Sequence, residues 1–162
     1  MKKYFFIFAT SLFCSVAFSQ PLPFIQNGKY GFINCENNDV IVPPRYLSAG
    51  EFSEGFAVVQ EFPSGGFGGQ IRYGFVNEKG DLQIQFQFEN ALRFKRGYAR
   101  VKVAGAWGMI NTNGKLVVPT IYDDLWAFRE ERALAWKDGY FGYISPTNEV
   151  IAPFIYSGGG HF

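Results

Sequence analysis

The strongest constraint on what this chain can fold into is that it copies itself. "KYGFIN" from Lys29, "RYGFVN" from Arg72, "AWGMIN" from Ala106 and "YFGYIS" from Tyr140 are variants of one segment. Their glycines, Gly31, Gly74, Gly108 and Gly142, are spaced 43, 34 and 34 residues apart. An aromatic follows each glycine after 14 or 15 residues, at Tyr46, Phe88, Tyr122 and Tyr156. Six residues further stand Phe52, Phe94 and Phe128 in the first three copies, and five beyond those stand Ala57, Ala99 and Ala133. A period of this size marks an architecture made by stacking one supersecondary unit, which cannot bury its apolar surface alone. The units start near residues 28, 71, 105 and 139. "PSGGFGG", residues 63–69, lengthens the loop after the first unit and accounts for the long first interval. A phosphate-cradling loop would need a helix after it, and here the next segment, "QIRYGFVN", reads as a strand.

Each unit is expected to hold three short strands. In the first, alternation sets Trp107 and Met109 on one face and Ile110 on the other, and Gly108 lets a neighbouring backbone or ring come close. "NEKG" (residues 77–80) and "NTNG" (residues 111–114) are hairpin turns built from residues that tolerate positive φ. The second strand, "KLVVP", is expected to stop at Pro119, which has no N–H to donate. In the third, from Ala99, alternation turns Ala99, Val101 and Val103 inward and Arg100 and Lys102 outward. No helical period is sustained after the first twenty residues. The expected fold class is therefore all-β: tandem three-stranded antiparallel repeats of about 34 residues, arranged as a propeller-like ring or an open β stack. "LPFIQNGKYG" resembles the end of a third strand, and the fourth unit stops near Tyr156 without one. That phase suits either arrangement.

The first nineteen residues read differently. Lys2 and Lys3 precede the apolar run Tyr4 to Phe18, and Ala17 and Ser19 supply small residues before Gln20. This is the pattern of a secretory signal peptide, with cleavage expected between Ser19 and Gln20. As a helix the run would span only about 22 Å, short of the ~30 Å hydrocarbon core. No membrane span is expected after cleavage. Phe13 before Cys14 is bulky for a lipoprotein signal, so the expectation is soluble export to the periplasm, the cell surface or the medium. With 15 basic and 14 acidic residues in all, losing the two lysines leaves a formal charge of −1. That balance offers no basic face for nucleic acid. Only Cys35 remains after cleavage, so no internal disulfide is expected.

The recurring Tyr30-Gly31, Tyr73-Gly74, Trp107-Gly108 and Phe141-Gly142 pairs, with their downstream aromatic, Phe and Ala positions, resemble the WG-repeat family, also called KWG repeats. The likeness covers roughly residues 22–157, although Trp-Gly occurs literally once and Glu131 stands where Gly55 and Gly97 stand. It implies a bacterial β-rich repeat protein, often exported, whose motif carries no catalytic residue.

Three groups are candidates for function. Arg93, Lys95, Arg96, Arg100 and Lys102 interleave with aromatics in "RFKRGYARVK", a composition suited to an anion or anionic glycan. Trp126 and Trp136 stand where an apolar contact surface or a sugar-stacking platform could form. Asp123, Asp124, Glu130 and Glu131 would be the carboxylates of a glycan hydrolase, which needs two held about 5–9.5 Å apart. No metal cluster, triad, nucleotide motif or cofactor site is apparent, and His161 lies in a glycine-rich end. The expectation is a non-enzymatic exported β-repeat module that binds a protein or cell-surface component. A glycan-binding module is the alternative, and a hydrolase comes third.

Overall fold

The computed structural model describes residues 20–62 and 69–157. The expected leader, residues 63–68 of the insertion, and His161 lie outside the described residues. All regular structure among the described residues is β, in four antiparallel sheets. The first holds β1 (Leu22–Gln26), β2 (Lys29–Ile33) and β3 (Val40–Tyr46). The second holds β4 (Ser48–Ala49), β5 (Phe56–Glu61), β6 (Arg72–Asn77) and β7 (Leu82–Phe88). The third holds β8 (Asn90–Ala91), β9 (Tyr98–Val103), β10 (Ala106–Asn111) and β11 (Leu116–Tyr122). The fourth holds β12 (Asp124–Leu125), β13 (Ala133–Lys137), β14 (Tyr140–Ile144) and β15 (Val150–Tyr156).

Sheets and sequence repeats are out of phase. The third strand of one unit pairs with the first strand of the next: Val59 opposes Gly74, Val101 opposes Gly108 and Ala135 opposes Gly142. Two-residue turns enforce this pairing at Asn27-Gly28, Ala104-Gly105 and Asp138-Gly139, where both residues have positive φ. Such turns match the right-handed twist of the strands that they join. β1 accordingly pairs with β2, as expected of a stray third strand. The link before each third strand also contains a two-residue strand that periodicity could not reveal, because two residues carry no period.

The second strands do not stop at proline. β11 runs through Pro119 to Tyr122, with a bulge that sets Trp107 opposite Tyr122 and Met109 opposite Val118. Proline is tolerated because β11 is an edge strand and the bulge needs no ladder donor there. The same bulge explains the repeat glycine. It swings a carbonyl across the preceding strand, so a Cβ would lie 2.3 Å from the Val42 oxygen at Gly31 and 2.7 Å from the Ile84 oxygen at Gly74. At Gly108 the Val118 oxygen would be 2.6 Å away, and at Gly142 the Ala152 oxygen 2.9 Å. The crowding atom is backbone and cannot rotate aside.

Alternating residues of each inner sheet serve two neighbours. In the second sheet Ala57, Val59 and Val76 pack toward the first, while Phe75, Ile84 and Phe88 pack toward the third. In the third sheet Ala99, Val101 and Ile110 face back, while Met109, Val118 and Tyr122 face forward to the fourth. The link phenylalanine is a wedge. Phe52 sits 5.0 Å from Phe32, Phe94 lies 5.0 Å from Phe75, and Phe128 lies 5.0 Å from Tyr98 between ring centroids. Each such buried ring contributes about 1.5–3 kcal/mol. Three buried clusters thus join consecutive sheets, and none of them joins the first to the last. The described residues form four sheets in tandem with no closed barrel, an arrangement that an open stack and a propeller-like series share. No helix among them is long and apolar enough to cross a membrane.

Two expected orientations change. Val103, at the end of β9, is exposed rather than inward. Arg100 lies on the face opposite Ala99 and Val101, but that face is turned to the link of the fourth sheet and not to water, so its side chain is half-buried rather than outward in solvent.

Gly108→Ala is expected to destabilise by roughly 2–3 kcal/mol through overpacking against fixed backbone. Gly50→Ala, whose Cβ would meet only the Val58 oxygen at 3.7 Å, should be neutral within about 0.5 kcal/mol. Urea denaturation of the two variants measures the contrast.

Candidate functional site: the outer face of the last sheet

Among the described residues, no sheet lies in front of the forward-facing positions of the fourth sheet. In the first three sheets the aromatic ending the bulged strand is sealed by the next unit: Tyr46, Phe88 and Tyr122 are 0%, 4% and 3% exposed. Their counterpart Tyr156 is 52% exposed. Ala152, counterpart of Val42, Ile84 and Val118, is half-buried, as are Phe141, Tyr143 and Leu134.

Sequence substitution makes this face more apolar than that of the third sheet. Trp107 in the third sheet carries Arg100 and Lys102 on its ring, the cationic groups 5.9 and 5.7 Å from the centroid. The corresponding residues of the fourth sheet are Phe141, Leu134 and Trp136. The Trp136 ring stacks beside Phe141 at 6.0 Å and 16°, and Trp126 meets the same ring at 6.1 Å. Trp136 is 39% exposed. The two tryptophans singled out in the sequence therefore converge on one phenylalanine that spacing did not identify. Beside them runs a groove of about 650 Å³, lined by Lys95, Arg100, Trp126, Arg132, Leu134 and Tyr143 among others.

The basic residues do not converge into one patch. Arg100 donates to the Leu125 carbonyl, and Arg96 donates to the Phe128 carbonyl at 3.0 Å. Both therefore fasten the third sheet to the link of the fourth. Lys102 lies over Trp107, while Arg93 and Lys95 are exposed. Burial holds the Arg100 guanidinium below its ordinary pKa, and Asp124 nearby opposes that shift.

The carboxylates serve the backbone. Asp123 accepts from the Asp138 amide at 2.8 Å, and Asp124 accepts from the Leu125 amide at 2.8 Å. Glu130 lies 3.8 Å from Arg132 on the surface, and Glu131 takes φ 62° where earlier units use glycine. Glu54 shows what such a turn carboxylate does: it accepts from both the Arg96 and Gly97 amides of the following unit. Cys35 is half-buried in the β2–β3 turn.

One polar pair is set inside an inter-sheet contact. The Tyr122 hydroxyl donates to Asn148 Oδ1 at 2.6 Å, joining the third sheet to the turn of the fourth. Burial pushes the Tyr122 phenol above its ordinary pKa, with the Asn148 bond opposing. Burial also raises that of Tyr46, with Arg45 opposing.

A family model described as WG containing repeat matches residues 30–61, 73–105 and 107–140, more than half of the chain. No curated protein matches the chain.

Tyr122→Phe is expected to cost about 1 kcal/mol, the net value of one hydrogen bond. Because the folded-state phenol is raised, its contribution is complete below the unfolded value of about 10 and is lost as pH climbs through the higher folded value. Chemical denaturation between neutral and strongly alkaline pH should show a fall in stability above pH ~10 that is shallower in Tyr122→Phe.

Proposed function

Because the chain belongs to the WG-repeat family, we propose that it is an exported, non-enzymatic β-repeat module that binds a protein partner through the outer face of its last sheet. The observation that carries this reading is the change in exposure at one repeated position, from buried Tyr122 to 52% exposed Tyr156. Exposed, contiguous aromatic surface of this kind marks interaction sites on soluble proteins. Aromatics of the earlier units are spent in the inter-sheet cores, and Asp123 and Asp124 accept from backbone amides, which favours the forward face as the surface for recognition. The leader pattern supports export, with a mature chain beginning at Gln20.

The parallel rings of Trp136 and Phe141 favour a second reading, a glycan-binding module. A flat pair of rings, with Trp126 against the same phenylalanine, offers an apolar platform of the kind a sugar face requires.

Cross-linking and affinity capture from the exporting cell should recover a protein partner, and Trp136→Ser should reduce its yield at least tenfold. Recovery of nothing, or capture indifferent to Trp136, would reject the protein-binding reading. Glycan-array binding that disappears in Trp136→Ala would establish the alternative in its place. Amino-terminal sequencing of extracytoplasmic protein should begin at Gln20.

A further inference from the structure

We infer that the partner of the forward face is the first sheet of a second copy of this chain, docked head to tail; this deepens the protein-binding reading and rests on it. Each internal contact joins the forward face of one sheet to the backward face of the next through the same positions. The backward set is Ala57, Val59 and Val76 in the second sheet and Ala133, Ala135 and Ile144 in the fourth. The corresponding residues of the first sheet are Leu22, Phe24 and Ile33, apolar and only half-buried. One chain therefore carries both halves of an unmade contact. The sizes also complement each other. Leu22 and Phe24 are larger than the residues that they replace, while Ala152 on the forward face is smaller than Val42, Ile84 and Val118.

A polar pair supports the same register. In the third contact Tyr122 donates to Asn148, a positive-φ residue whose amide bonds the Ser145 carbonyl in the β14–β15 turn. The matching turn residue of the first sheet is Asn38, also at positive φ, with its amide on the Asn34 carbonyl. The other turns carry glycine there, Gly80 and Gly114. Only the fourth sheet presenting Tyr156 and the first presenting Asn38 can repeat the tyrosine–asparagine bond.

A contact of this kind is heterologous and leaves one free face at each end, so it propagates.

Sedimentation equilibrium of the purified protein tests the assignment. Mean mass should rise continuously with concentration and respond weakly to salt. Tyr156→Lys on the forward face and Val40→Lys on the backward face, both at exposed positions, should each be monomeric with an unchanged urea midpoint. Mixed together, they should form dimers and nothing larger, because each retains the face that the other lacks. Tyr156→Phe and Asn38→Gly should each weaken association about fivefold, with no further loss when combined.

A wild-type chain of constant monomer mass overturns the inference, as does a dimer formed by either lysine variant alone. If the chain stays monomeric while affinity capture still returns a different protein through Trp136, only the identity of the partner has failed. If self-association occurs but survives Tyr156→Lys, the forward face itself is the wrong surface.

Discussion

Each of the first three sheets is held by the side chains that the next one drives into it. A three- or four-stranded sheet with apolar residues on both faces has two surfaces to remove from water, and a single neighbour covers only one of them. The wedges Phe52, Phe94 and Phe128 make this dependence concrete. Each belongs to the link of one sheet yet is buried against the rings of the sheet before it. Stability therefore propagates along the series, and the end of the series is where the surface goes uncovered.

The out-of-phase pairing reinforces the same dependence. Because the third strand of one repeat is hydrogen-bonded to the first strand of the next, no repeat can be removed cleanly. Cutting between repeats would sever a ladder, and cutting between sheets would split a core. The polar staples follow the same direction, with Glu54 holding Arg96 and Gly97, and Arg96 and Arg100 holding carbonyls of the fourth unit. Two of the charged residues that look like a ligand patch in the sequence, Arg96 and Arg100, are occupied in joining neighbours. A guanidinium has five donors and a planar shape, which suits it to capture a carbonyl across a seam.

Edge protection shows a related economy. β3, β11 and β15 are edge strands that contain Pro43 and Pro44, Pro119, and Pro153 respectively, and each has a bulge. The edge strands β4, β8 and β12 of the last three sheets are two residues long. Both devices discourage strand-to-strand aggregation. Association is thereby directed away from sheet edges and toward sheet faces, where side-chain chemistry can discriminate among partners.

The period, the turn glycines, the two-faced alternation of Trp107, Met109 and Ile110, and the need for glycine at 108 were all legible in the sequence, because each is decided within a few residues by local geometry. The halt expected at Pro119 was not correct, since whether proline interrupts a strand depends on the strand lying at an edge, a fact about neighbours. Arg100 was read as outward because alternation separates two faces but does not say which face a later segment will cover. For the same reason Trp126 and Trp136 could be named as candidates, while Phe141, the ring that unites them, could not. Local sequence determined what each unit is; only the packing of each unit against its neighbours decided which of its surfaces remained open.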